Sequence, residues 1–93
     1  MIELKMFKLV CGDVVVCPEP EEYTNTFYEE VEFKRPLQLF MGPGPDGKIQ
    51  MALIPWMSQE TKVKKTGIIA SANAPHPVEQ EYIKLTTNIQ LVR

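Results

Sequence analysis

Hydrophobic positions along this chain alternate with polar ones for most of its length and change to a helical spacing only near the end. Residues 2–10 put Ile2, Leu4 and Met6 in one phase, then shift to Phe7 and Leu9. The pattern predicts a strand with a kink, or a short helical turn entering a strand. Cys11-Gly12-Asp13 carries turn chemistry. Val14-Val15-Val16 is a short β-branched strand that Pro18 and Pro20 end. An acidic, polar connection, PEPEEYTNT, comes next. From Phe27 onward, Val31, Phe33, Leu37, Leu39 and Met41 share one phase, with Glu32, Lys34 and Gln38 on the other. That alternation predicts a half-buried strand, and Pro36 in its middle predicts a bulge or a sharp bend.

In GPGPDGK, residues 42–48, Asp46-Gly47 is the pair a tight hairpin turn requires, because its glycine tolerates positive φ. A phosphate-cradling loop would lead into a helix N-terminus, whereas here a strand follows. That strand, IQMALIPWM, ends on Pro55 and Trp56, the single tryptophan. Proline cannot donate to a ladder, so Pro55 marks an edge, a bulge or a strand end. SQETKVKK reads as a polar, basic loop, and TGIIASA as a strand closed by Asn73, Pro75 and Pro77. Beyond Pro77 the spacing of Val78, Tyr82, Leu85 and Ile89 is that of an amphipathic helix, with Glu79 and Glu81 suited to its start. The tail TNIQLVR is expected to fray or to become strand. Five short antiparallel strands with prolines at their corners predict a mainly-β fold, a small barrel of the SH3-like or OB type. The barrel would span about 1–74 and the helix about 77–90 of one domain, 1–93. Much of the core should come from Val31, Phe33, Leu37, Leu39, Ile49, Met51, Leu53, Ile68 and Ile69.

Length sharpens this picture. A chain of 93 residues buries only about two thirds of its unfolded surface, so staples or partners help it. Two cysteines, Cys11 and Cys17, and one histidine, His76, are too few for a structural zinc site. A disulfide is not favoured outside a Cys-dense secreted framework. The start, MIELKMFK, has lysines and a glutamate and no long apolar run, so no signal peptide is expected. No stretch approaches the ~18 apolar residues of a membrane span. A cytoplasmic protein is expected. Net charge is −2, which argues against an overall basic nucleic-acid binder. The charge is uneven, however: residues 1–33 hold eight acids against Lys5 and Lys8, and residues 34–93 hold eight bases against four acids. Such a molecule is electrically two-sided if the two portions lie on different faces.

Catalytic chemistry finds little support. His76 lies in APHPV with no cysteine or carboxylate at a site spacing and reads as a loop residue. No serine or cysteine sits in a nucleophile elbow, Ser58 and Thr61 read as polar loop residues, and no enzyme, cofactor or metal is expected. Lys62, Lys64 and Lys65 form a basic run, either a solvated loop or a set of phosphate contacts. Of the aromatics Tyr23, Phe27, Tyr28, Phe40, Trp56 and Tyr82, Phe40 and Tyr82 suit the core. Trp56 and Tyr28 suit stacking or an interface.

The order of elements resembles a known family. Gly12-Asp13 forms a turn after the first strand, a long bent strand precedes "IPWM", and "GIIAS" and "APHP…Tyr82" follow. This resembles the Sm-like (Lsm) proteins, in particular a divergent small family of marine phage (cyanophage) origin. The persuasive motifs are Gly12, Pro55-Trp56-Met57 and the Pro77…Tyr82 spacing. Lys65-Thr66-Gly67 is similar to the family's second motif with one residue inserted. The family's base-binding Asp and Asn have no aligned counterpart in PEPEEYTNT, although Asn25 lies there. The resemblance implies an Sm-like barrel of five strongly bent antiparallel strands with a C-terminal helix. It implies a cyclic homo-oligomer of five to seven subunits, strand four of one copy pairing with strand five of the next. Met51, Leu53, Pro55, Trp56, Gly67, Ile68 and Ile69 would form the seam. It further implies binding of single-stranded RNA or DNA, in the host cytoplasm if the chain is phage-encoded. Lys62, Lys64 and Lys65 would meet phosphates, and Trp56 or Tyr28 would stack on bases. The alternative is an adaptor that offers the acidic loop 19–32 and the helix to a protein partner.

Overall fold

In the computed structural model, which describes residues 3–91, seven strands and one helix are arranged in three layers. The strands are β1 (Leu4–Leu9), β2 (Val14–Pro18), β3 (Glu30–Lys34), β4 (Leu37–Pro43), β5 (Ile49–Pro55), β6 (Glu60–Lys64) and β7 (Ile68–Asn73). The helix α1 covers His76–Leu91, and short 3₁₀ turns occupy Glu21–Thr24 and Lys65–Gly67. Five strands form one antiparallel sheet in the order β5-β4-β2-β1-β7, and β3 pairs with β6 in a separate ribbon.

The phase shift in residues 2–10 is not a kink. β1 is one strand buried on both faces, with Leu4 in one core and Phe7 and Leu9 in the other. One core lies under α1 and joins Leu4, Val16, Leu37 and Leu53 to Val78 and Tyr82. The other lies under the ribbon and joins Phe7, Leu9, Val15 and Cys17 to Val31 and Phe33. Ile2, which shared a phase with Leu4, lies outside the described residues. A register shift between Lys8 and Leu9 bulges β1 against β7.

Pro36 does bend the long hairpin, as its position predicts. β3 and β4 are one strand broken at Arg35-Pro36, and β5 and β6 one strand broken at residues 56–59. The pairing runs through the break: the Arg35 N–H donates to Gln59 O at 2.6 Å, and the Trp56 N–H to Pro36 O at 3.0 Å. Arg35 and Met57 sit at φ of 49° and 57°, in the left-handed region that non-glycine residues rarely adopt. The bend sends Val31 and Phe33 to one core and Leu37 to the other, although all share one phase in sequence.

The barrel expected from the bent strands does not form. The five-stranded sheet stays open, because the bent half of the hairpin pairs within itself as β3–β6 and folds over one face of the sheet. The segment expected as a basic loop supplies β6, in which Thr61 and Val63 are half-buried and Glu60, Lys62 and Lys64 are exposed. Leu39, Met51 and Ile68 pack at the margins of the cores, while Ile49 and Ile69 of the expected core are exposed. Gly12 and Gly47 take positive φ in the two tight turns, as their sequence contexts require. The chain segment expected to fray or turn to strand continues α1 to Leu91; residues 92–93 lie outside the described residues.

Candidate nucleic-acid interface

A short turn after the first 3₁₀ segment sets up the groove. Asn25 holds it with both ends: its Oδ1 accepts the Phe27 N–H at 2.9 Å, and its carbonyl accepts the Tyr28 N–H at 3.3 Å. Lys65 reaches across from the end of β6, its Nζ donating to the same carbonyl at 2.6 Å. The Lys65 N–H also donates to Glu29 O at 2.9 Å, which extends the β3–β6 ladder by one step. Phe27, turned out by this brace, is 91% exposed, and Tyr28 is exposed beside it.

Phe27 and Tyr28 line an open groove of about 1110 Å³ together with Lys62, Lys64 and Lys65. Lys62 and Lys64 stand directly across the ribbon from Glu32 and Glu30. Neither pair closes to an ion pair; the ion pairs among the described residues are Lys5–Glu19 and His76–Glu79. Glu22 and Glu29 add two further carboxylates, so four acids face three bases in the lining.

Of the five residues expected to meet nucleic acid, Tyr28, Lys62, Lys64 and Lys65 share this groove, and Trp56 is not in its lining. Trp56 is half-buried against the ribbon core, its ring 6.2 Å from that of Phe33. Its Nε1 donates to Asp13 Oδ2 at 3.1 Å, and Gln38 Nε2 donates to Asp13 Oδ1 at 2.9 Å. Asp13 thus ties the first turn to the bend of the hairpin, and Pro55-Trp56 marks where the strand leaves one sheet for the other. Tyr23 has a structural role as well, with its hydroxyl 2.8 Å from Ser71 Oγ and its ring edge-on to Phe7.

The residues expected at a subunit seam fall on the two outer strands. β5 carries buried Leu53, half-buried Met51 and exposed Pro55. Half-buried Gly67 and Ile68 lead into β7, where Ile69 is 61% exposed. Both strands border open sheet edges, and neither sequence, IQMALIP nor IIASAN, contains a charge.

The remaining reactive groups are accounted for locally. Cys17 is buried, and burial pushes its thiol up to about 12, so it is an inert core residue. Cys11 is exposed, and both thiols are free. Ser58 and Thr61 bond each other at the bend, 3.1 Å apart. Among the described residues no cluster of His, Cys, Asp or Glu could hold a metal ion, and no helix is long and apolar enough to cross a membrane. Sequence reasoning weighed Phe27 as a stacking aromatic without choosing it, and read Glu30 and Glu32 as part of an acidic loop, whereas they lie on β3 in the groove lining. The signal for them was the pair Phe27-Tyr28 two residues after Asn25, followed by Glu30 and Glu32 in alternation. The chain matches no protein-family model, and no curated protein matches it significantly.

Proposed function

We propose that the protein assembles into a closed homo-oligomer through its two sheet edges and binds single-stranded nucleic acid in the groove repeated on each copy. The observation that carries this reading is the meeting of Tyr28 and Phe27 with Lys62 and Lys64 in one open groove. Exposed aromatic faces stack on successive bases, and nearby ammoniums meet the phosphates between them; that is how sequence-tolerant single-strand binding works. Uncharged, unpaired edges on β5 and β7 support the assembly, since an isolated domain normally guards such edges with charge.

The lining carries a net negative charge, so stacking has to supply more of the affinity than phosphate contacts do. Lys65 already serves Asn25, which leaves Lys62 and Lys64 as the phosphate contacts. Fluorescence anisotropy with a labelled single-stranded oligonucleotide tests this directly. The slope of log affinity against log salt should be about −0.7 per phosphate contact, shallow for each occupied copy. Tyr28→Ala should weaken binding with the slope preserved, and Lys62→Gln with Lys64→Gln should flatten the slope. Absence of binding even at low salt would leave the protein-adaptor reading in its place.

A further inference from the structure

We infer that Lys65 is a positioning residue of the groove, the side chain that holds Phe27 and Tyr28 where a single strand can stack on them; the inference rests on the binding function proposed above. Residues 24–30 are all exposed, so no buried side chain fixes the path of the chain between the first 3₁₀ turn and β3. Its order comes from hydrogen bonds, and these converge on Asn25. The Asn25 N–H donates to Glu22 O at 3.2 Å, and its Oδ1 accepts the Phe27 N–H at 2.9 Å. A carbonyl oxygen has two lone pairs, and the Asn25 carbonyl has two donors, the Tyr28 N–H at 3.3 Å and Lys65 Nζ at 2.6 Å.

Of these partners, only Lys65 comes from outside the segment. The others lie within three residues of Asn25 and shape the turn locally. Lys65 lies 40 residues further on, just past the end of β6, and it grips the segment twice. Its main-chain N–H donates to Glu29 O at 2.9 Å, while its ammonium reaches Asn25 O. The two acceptors flank Phe27 and Tyr28 in sequence. One residue therefore spans the aromatic turn and ties it to the ribbon that carries Lys62 and Lys64. The local bonds set the shape of the turn; the Lys65 bonds set where it stands relative to the phosphate-contacting lysines. Lys65 thus acts through the two aromatic rings rather than on the phosphates. Ordering a binding surface before its ligand arrives reduces the entropy lost on binding.

The salt dependence of binding separates this role from a phosphate contact. Wild type, Lys65→Met and Lys65→Arg should be titrated as full chains with a labelled single-stranded oligonucleotide of mixed sequence over a range of salt concentrations. Amide exchange should be measured on each chain without the oligonucleotide. Methionine keeps most of the stem and removes the donor, whereas arginine keeps a donor. Lys65→Met should weaken binding about three- to tenfold, the size of one net hydrogen bond, with the slope of log affinity against log salt unchanged. In the unbound variant the Phe27 and Tyr28 amides should exchange at least about threefold faster, through local opening of the turn. Those of Val31 and Phe33 should keep their wild-type rates. Lys65→Arg should restore both readouts. Asn25→Ala removes the acceptor of the Phe27 N–H and should also weaken binding. The double variant with Lys65→Met should lose less than the two losses together, because both changes release one turn. A slope shallower by about 0.7 in Lys65→Met would make Lys65 a phosphate contact and overturn the inference while the binding function stands. Unchanged affinity and exchange in that variant would do the same. A wild type that binds no oligonucleotide at any salt overturns both.

Discussion

Tyr82 does more than fill the space under α1. Its hydroxyl donates to the Arg35 carbonyl at 2.9 Å, and Arg35 is the residue held at φ 49° where the hairpin turns from one sheet to the other. A left-handed non-glycine residue is strained and persists only when its surroundings hold it; Tyr82 is one of those supports. Tyr82→Phe keeps the packing and removes the bond, and should cost about 1–2 kcal/mol by leaving a carbonyl without its donor. The same side chain, with Cys17 behind the sheet, gives the fold an alkaline limit. Burial raises the Tyr82 hydroxyl from 10.0 to about 12, helped by Cys17 and opposed by Arg35, and burial alone raises Cys17 from 9.0 to about 12. Both groups hold their protons longer in the folded chain than in the unfolded one. Their contribution is therefore fully present below pH 9 and is lost as pH rises toward 12. Urea midpoints should be level from pH 7 to 9 and fall between pH 9 and 11. A Cys17→Ala, Tyr82→Phe double variant should show a shallower fall from its own lower starting value. A wild-type midpoint unchanged at pH 11 would mean that neither group is protected.

At the scale of elements, the bent hairpin decides what could be read in advance and what could not. Strand period, the Asp46-Gly47 turn and the Val78/Tyr82/Leu85 stripe are local, so they were legible. The choice between two cores was not. Val31, Phe33 and Leu37 share one parity, and only the left-handed Arg35 separates them. β6 was hidden for a related reason, because its inward positions are a threonine and a valine among charges. The closed barrel was over-read from bent strands. Bending supplies corners, but closure also needs β5 and β7 to meet, and here α1 and the ribbon cover the two faces of an open sheet instead. The lysines and Tyr28 could be singled out in advance because charge and aromatics are visible in sequence; their meeting with Glu30 and Glu32 needed the cross-strand register. A paired substitution tests the division between core and groove. Phe33→Ala, at a fully buried site stacked 4.9 Å from Phe7, should cost about 3–5 kcal/mol. Phe27→Ala, six positions earlier in the chain, should cost within about 0.5 kcal/mol in denaturant melts. Equal losses would mean that Phe27 packs into the fold and is not presented to a ligand.

The whole molecule exposes more than a chain of its mass should. Its accessible surface is 6724 Å², whereas a compact monomer of this size exposes about 5,500 Å². Its radius of gyration is 13.8 Å, against about 12 Å for a compact domain. Among the apolar side chains it leaves open to solvent are Ile54 on β5 and Ile69 on β7. If the β5 edge of one copy meets the β7 edge of the next, the contact is heterologous, and each copy carries two different halves of it. A charge on either half should then be enough to stop assembly. If the wild type assembles, Ile54→Lys and Ile69→Lys should each give a monomer in light scattering with an unchanged circular dichroism spectrum, since both positions are exposed. Mixing the two variants gives the sharper result. The Ile69→Lys copy keeps a sound β5 edge and the Ile54→Lys copy a sound β7 edge, so one good seam remains for each pair and no second. The mixture should stop at a heterodimer. An isologous contact of β5 with β5 would instead leave Ile69→Lys dimeric by itself, and a wild-type chain that is monomeric at tens of micromolar would remove the assembly altogether.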